Sequence, residues 1–398
     1  MNNISKGKSP FYPGHPLPPE LFVGRAEQIE RVMTRGAGQV TLGKPVSIFI
    51  EGEYGIGKSS LASYLQNLAA IRCGLHPIYT PLGNTRSIEE LGEKVLEAAF
   101  RSGALHPKTF EKIRNWLGKY IGEQSLFGLT LNMEALKKDA PAIASGMLPF
   151  LLEVYERIKD EDIKGIFLVL DEINGITANP QFAHFIKGLV DTNAVSPKRL
   201  PLLLMICGVK EKRWEMIAHH QPIDRIFDVI DIEPLSREEM ETFFHKAFDS
   251  VGSSVDPEAM DVLVHFSAGL PKIMNLIGDY AYWLDQDDRI DRDEAFRAVI
   301  SAADEVGKKY VDQQVYNALK SRDYHSILKK LGRMIPTSAS FNKQEVEKTL
   351  TGAEKKKFNN FLQKMKTLKV LRSGLARGEY IFNMSMVQTY IWLKSQEN

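Results

Sequence analysis

Cysteine is nearly absent. Cys73 and Cys207 are the only two in 398 residues, too few for a disulfide framework or a cysteine-based zinc site. Long apolar runs are missing as well. The longest, LPLLLMICGV, falls well short of the ~20 residues a membrane helix needs, and the opening MNNISKGKSPFYPGHP holds no apolar signal-peptide core. A soluble, cytoplasmic protein of a reducing compartment, with no membrane partner, is therefore expected. No repeat and no low-complexity tract is present. With 43% hydrophobic and 25% charged residues, the composition excludes wholesale disorder.

Charge of one sign is also lacking, since the formal net charge is +1. That average hides an asymmetry. Residues 308–398 carry 18 Lys+Arg against 7 Asp+Glu, a net of +11, so the preceding 307 residues carry a net of −10. An acidic body with a basic tail domain points to a polyanion partner.

Residues 1–20 are rich in proline and read as an extended arm. Over 21–234, short apolar runs alternate with helical stretches. VSIFIEG, HPIYTPL, IKGIFLVLDE, LPLLLMICGV and DVIDIEPL are strands, and several are too apolar to face water on either side. Such alternation predicts an α/β fold with a five-stranded parallel sheet between helices. A long helical insertion spans about Gly103 to Asp160. Over 235–307 strand signals vanish. Ser236 with Glu239 fits a capping box, and Asp256-Pro257-Glu258 fits a helix start, so a small helical domain is expected. In 308–398 a helix (YNALKSRDYHSILKKLGR), a short helix (KQEVEKTL) and a third (AEKKKFNNFLQKMKTL) precede a hairpin (VLRS to GEYIF) and a last helix (SMVQTYIWLKS). That order is the winged helix-turn-helix pattern.

The sharpest motif is G-x-x-x-x-G-K-S, formed by Gly52, Glu53, Tyr54, Gly55, Ile56, Gly57, Lys58 and Ser59, with Ser60 next. Glycines let the chain curl so that amide hydrogens converge on phosphate oxygens, and the following helix aims its positive end at the same place. Lys58 would supply a point charge for the β- and γ-phosphates of ATP, and Ser59 a hydroxyl for Mg²⁺. The run GIFLVLDE ends in two carboxylates. At the carboxyl end of a buried strand, Asp171 would hold Mg²⁺ and Glu172 would polarise the attacking water.

Together these residues resemble the AAA+ and STAND ATPases, particularly the initiator-like (origin-recognition) and archaeal-type branches, over about Pro19 to Lys394. FVGRAEQIERV is similar to the family's entry motif, which implies that the backbone of Phe22 and Val23 lies near the adenine. LLLMICGV resembles the sensor-1 strand, with Cys207-Gly208 where a polar residue is usual. SREEMETFF resembles the opening helix of the family lid, and SAGLPKIMNLIGDYA its sensor-2 motif, which implies that Lys272 approaches the phosphates. Arg225, just before the fifth strand, is the candidate arginine finger for a neighbouring copy, with Lys210, Lys212 and Arg213 as alternatives.

In AEKKKFNNFLQKMKTL, the residues Phe358, Phe361, Leu362, Met365 and Leu368 form one apolar stripe. The opposite face carries Lys356, Asn360, Gln363 and Thr367, flanked by Asn359 and Lys364, with Arg372 and Arg377 on the wing. Lysine suits phosphates, and Asn and Gln suit base edges. The expectation is an ATP-binding and ATP-hydrolysing AAA+-type switch whose winged helix binds DNA, with homo-oligomers and a protein partner supplying any effector activity. The alternative is a STAND-type signalling or defence ATPase, whose winged helix is a protein-contact module and whose output is nucleotide-controlled oligomerisation.

Overall fold

A computed structural model describes residues 6–15, 17–102, 147–159, 162–334, 340–374, 376–383 and 385–396. The chain divides into two compact units, Pro16–Glu233 on one hand and Met1–His15 with Pro234–Asn398 on the other.

In Pro16–Glu233, strands β1 (Val46–Gly52), β2 (Leu75–Pro81), β3 (Gly165–Asp171), β4 (Leu202–Gly208) and β5 (Asp228–Ile232) form one parallel sheet in the order β2-β3-β4-β1-β5. The five expected strands are all present. Every residue of β3 and β4 is buried, as their unbroken apolar sequences require of central strands covered on both faces. Register sets Phe49 of β1 beside Ile206 of β4, and Leu204 of β4 beside Leu168 of β3.

Helices α1 (Ala26–Arg31), α2 (Lys58–Cys73), α3 (Ile88–Ser102), α4 (Met147–Ile158), α5 (Pro180–Val195) and α6 (Lys210–His219) belong to the same unit. α4 buries Leu148, Leu151, Val154 and Ile158, a helical stripe. α5 starts where Asn179 accepts the Gln181 amide and Pro180 takes the first position. Gln66 of α2, itself buried, donates to the carbonyls of Ile78 (3.1 Å) and Phe167 (2.8 Å), which fixes α2 against β2 and β3. Of the insertion expected over 103–160, residues 103–146 lie outside the described residues, and α4 occupies most of the remainder.

The other unit holds α7 (Arg237–Asp249), α8 (Pro257–Ser267), α9 (Pro271–Leu284) and α10 (Arg292–Val306). The Ser236–Glu239 capping box is formed, and a second joins Asp291 to Glu294. One difference from the expected all-helical segment is a small parallel ladder, β6 (Ser254–Val255) with β7 (Arg289–Ile290). Two residues per strand are too few to show alternation in a sequence.

The proline-rich arm is anchored here. Phe11 is buried among Phe243, Phe244 and Phe248, with ring centroids 6.0, 6.4 and 4.9 Å away. Burying one such ring contributes about 2 kcal/mol. Gly278 makes room for it, since a Cβ there would lie 2.2 Å from the Phe11 ring. Lys6 donates to the carbonyls of Tyr282 and Asp285 at the end of α9 and pairs with the Asp285 carboxylate at 2.9 Å. A cation at a helix C-terminus offsets the helix dipole.

Beyond α10, wide helical turns over Gly307–Tyr316 lead to α11 (Arg322–Met334), β8 (Ser340–Asn342), α12 (Lys343–Thr349), α13 (Gly352–Thr367), β9 (Leu371–Ser373), β10 (Glu379–Phe382) and α14 (Ser385–Gln396). This is the element order of a winged helix-turn-helix. The expected β9–β10 hairpin is antiparallel, with Ile381 opposite Arg372. β8 adds a third strand that was not expected, with Phe341 opposite Tyr380. The helix expected over Tyr316–Arg333 begins only at Arg322, after a break in which Leu319 is buried. Gly307 lies against α14, because a Cβ there would fall 2.1 Å from the Tyr390 ring, and the Tyr390 hydroxyl donates to Asp312 at 2.8 Å.

Candidate functional site

The loop after β1 is built by its glycines. Gly55 and Gly57 have φ of 81° and 98°, which side chains disfavour. A Cβ on Gly52 would meet the Ile232 carbonyl at 2.9 Å. Gly57 caps α2 with no side-chain hydrogen bond, so the first-turn amides keep the dipole end of the helix open to an anion. Lys58 folds back over the loop, and its Nζ donates to the carbonyls of Gly52 and Glu53, both at 2.8 Å. Burial lowers the Lys58 ammonium from its ordinary value, opposed by nearby Asp171, Glu53 and Glu172. Cys207, at the end of β4, also neighbours Lys58. Burial raises its thiol well above the ordinary range, so it stays uncharged and Asp171 is the counter-charge that matters.

Asp171 ends β3 with only 3% of its surface exposed. Its Oδ1 accepts the Glu172 amide at 2.9 Å, and its Oδ2 accepts the hydroxyl of Tyr79 from the neighbouring strand β2. Burial first, and the Asp171 charge second, push the Tyr79 phenol far above its ordinary value, so it remains a neutral donor. Glu172 is exposed and adopts a left-handed backbone, φ 56°. A side chain added at Gly83 would come within 3.6 Å of its Oε2. The Asp171 carboxylate is an oxygen donor of the kind that suits Mg²⁺.

The entry motif reaches the same loop. Arg25, left-handed at φ 64° and 7% exposed, donates to the carbonyl of Ile56 at 3.3 Å and to that of Glu233. The Leu17 amide donates to Ser60 Oγ at 3.2 Å. Phe22 stacks on Tyr64 of α2, with centroids 4.6 Å apart and planes 12° apart, and Val23 is half-buried beside it in sequence. Sequence reasoning missed Tyr79, Arg25 and Tyr64. Only Arg25 carried a signal, as the last residue of the FVGR string.

Among the arginine-finger candidates, Arg213 is committed within the chain, to Glu51 at 2.7 Å and Asp224 at 2.5 Å. Lys212 pairs with Glu215 at 2.8 Å. Arg225 is exposed in the turn Gln221–Ile226 and has no ion pair among the described residues. Lys272 belongs to the other unit, in the first turn of α9. That helix starts at Pro271 after Gly269, whose φ is +73°.

On α13, Phe358, Phe361, Leu362 and Met365 are buried and Leu368 partly so. Lys356, Asn360, Gln363 and Lys364 are exposed, as are Arg372 and Arg377 on the wing. None of these four cations has an ion pair among the described residues. Its neighbours differ, since Lys357 pairs with Asp323 at 2.5 Å, and Lys366 bonds Ser373 at 2.6 Å and lies over the Tyr380 ring. The helix is anchored by Glu354, a buried carboxylate that accepts from Lys330 and Ser326 of α11, both at 2.6 Å, and from the Thr351 amide at 2.7 Å. Burial raises this carboxyl, but those hydrogen bonds outweigh it and hold Glu354 down to about 2.

No family model and no curated protein sequence matches the chain. Solved structures do. It is similar to the ORC2 protein of Aeropyrum pernix in ADPNP–ADP complexes, with 12% identity, a TM-score of 0.58 and 94% of each chain covered. It is also similar to the Walker-type ATPase PABY2304 of Pyrococcus abyssi, with 14% identity and a TM-score of 0.55 over 93% of this chain and 96% of that one. The ADP form of the same ORC2 protein gives 14% identity and a TM-score of 0.53 over 98% of each chain. The chain thus has the fold of these proteins along nearly its whole length.

Proposed function

We propose that this protein is an ATP-binding and ATP-hydrolysing AAA+-type switch that grips DNA through its C-terminal winged helix. The observation that carries the reading is the Gly52–Ser59 loop, with its left-handed glycines, its uncapped helix start and Lys58 curled across it. Nucleotides named for the ORC2 structures support an adenine nucleotide as the ligand. Gly52, Gly55 and Gly57, with the amides of Glu53, Tyr54, Ile56, Ser59 and Ser60, would cradle the phosphates, and Lys58 would exchange its two carbonyl partners for phosphate oxygens. The backbone of Phe22 and Val23 would flank the adenine. Ser59 and Asp171 would hold Mg²⁺, which supplies positive charge against the phosphates. Glu172 would take the proton of the attacking water.

Arg225, exposed and without an ion pair among the described residues, would enter the site of a second copy, and Lys272 would contact the phosphates from the helical unit. Lys356, Lys364, Arg372 and Arg377 would meet phosphates of DNA, and Asn360 and Gln363 its base edges. No helix among the described residues is long and apolar enough to cross a membrane, and a cytoplasmic location fits this reading. A second reading, nucleotide-controlled assembly with the winged helix as a protein-contact module, draws on the packing of Gly307 against Tyr390.

Equilibrium binding of a fluorescent ATP analogue tests the first claim. Lys58→Ala should lose about 100-fold or more in affinity, as charge-assisted contacts to phosphate are removed. Unchanged affinity would contradict the role of the loop. Nucleotide-dependent assembly without any affinity for duplex DNA would favour the second reading.

A further inference from the structure

The nucleotide reading leaves Tyr79 unexplained, although it bonds the proposed magnesium ligand Asp171. It sits in β2 beside β3, where register pairs Tyr79 with Val169 and Pro81 with Asp171. From there its hydroxyl donates to Asp171 Oδ2. The other carboxylate oxygen is taken by the Glu172 amide. Asp171 therefore has both oxygens satisfied by neutral donors. Lys58, a neighbouring cation, donates to carbonyls of the loop instead.

A buried carboxylate with no ion pair is costly, and the phenol dipole offsets part of that cost. A hard divalent cation needs the same oxygens. We propose that the Tyr79 hydroxyl is a placeholder for the cation, occupying Asp171 Oδ2 until a divalent ion displaces it. This inference rests on the nucleotide reading of the site. On binding, the phenol gives up Asp171 Oδ2, and no bond other than this hydrogen bond is broken. The device keeps Asp171 aligned in the empty protein and raises the cation concentration needed to fill the site.

A residue that merely orients Asp171 for the metal would have the opposite effect, because its loss would weaken cation binding. The distinguishing experiment is nucleotide binding to the full chain, titrated with free Mg²⁺ from EDTA upward, for wild type, Tyr79→Phe and Tyr79→Met. The Mg²⁺ concentration at half-effect should fall about tenfold in both variants, the size expected for one competing hydrogen bond to a charged group. Affinity in EDTA should stay as in wild type, and the melting temperature in EDTA should drop, because Asp171 has lost a donor. Either hydroxyl-free variant suffices should the other not fold. A half-point that is unmoved or raised overturns the placeholder alone. A wild type that binds no nucleotide at any Mg²⁺ concentration overturns the nucleotide reading and the placeholder with it.

Discussion

The loop at the end of β1 and the outer face of α13 use the same residue, lysine, in opposite ways. Lys58 is half-buried and already donates to the carbonyls of Gly52 and Glu53. Lys356 and Lys364 stand in solvent with no ion pair among the described residues. A half-buried charge held in place acts on a ligand that comes to it, in a setting that salt screens weakly. An exposed row of charges acts by releasing counterions and is screened within about 10 Å at ordinary ionic strength. The comparison separates a cation already held by the loop it belongs to from surface cations with no ion pair among the described residues.

The largest expected effect lies at the first site. Glu172→Gln should lower ATP turnover by about 100- to 10,000-fold, the span of general-base contributions, while leaving nucleotide affinity unchanged. Paired turnover and binding measurements check it, and persistent turnover would remove Glu172 from the chemistry. A smaller effect is expected on the surface. For Lys356→Ala combined with Lys364→Ala, the log–log slope of DNA affinity against salt should flatten by about two, one for each lost phosphate contact. Nucleotide affinity should hardly change with salt. If it followed salt as steeply as DNA affinity did, the contrast between the two sites would collapse.

The smallest effect concerns how α13 is held. Glu354 titrates at about 2 in the folded protein against 4.5 for a free glutamate, so it favours folding above pH 4.5. That contribution fades as pH falls from about 4.5 towards 2. Acid unfolding of wild type and Glu354→Gln should differ, with the variant less stable near neutral pH and losing less on acidification through this window. Equal losses would show that the carboxylate anchors nothing.

Legibility followed the physics. β1, β3 and β4 are legible because a strand buried on both faces needs an unbroken apolar run, and the Gly52–Ser59 loop because left-handed turns need glycine. Tyr79 could not be read, since a tyrosine in a strand is ordinary. Its meaning depends on β2 lying beside β3, a tertiary fact. The anchoring of Phe11 was equally hidden, because the rings that bury it come more than 230 residues later. The strands β6, β7 and β8 were too short to impose a pattern. For α13 the buried stripe is legible from its period, whereas nothing in a lysine-rich helix sequence marks Glu354 as the buried partner of Lys330 and Ser326.

The chain crosses between its two compact units twice, near His15 and again between Glu233 and Pro234. Both crossings lie beside residues bonded within Pro16–Glu233: the Leu17 amide donates to Ser60, and the Glu233 carbonyl accepts from Arg25, which also donates to Ile56. The two ends of that unit are thereby stitched to the Gly52–Ser59 loop and the helix after it, so the same few hydrogen bonds close the unit at its ends and brace its glycine-rich turn.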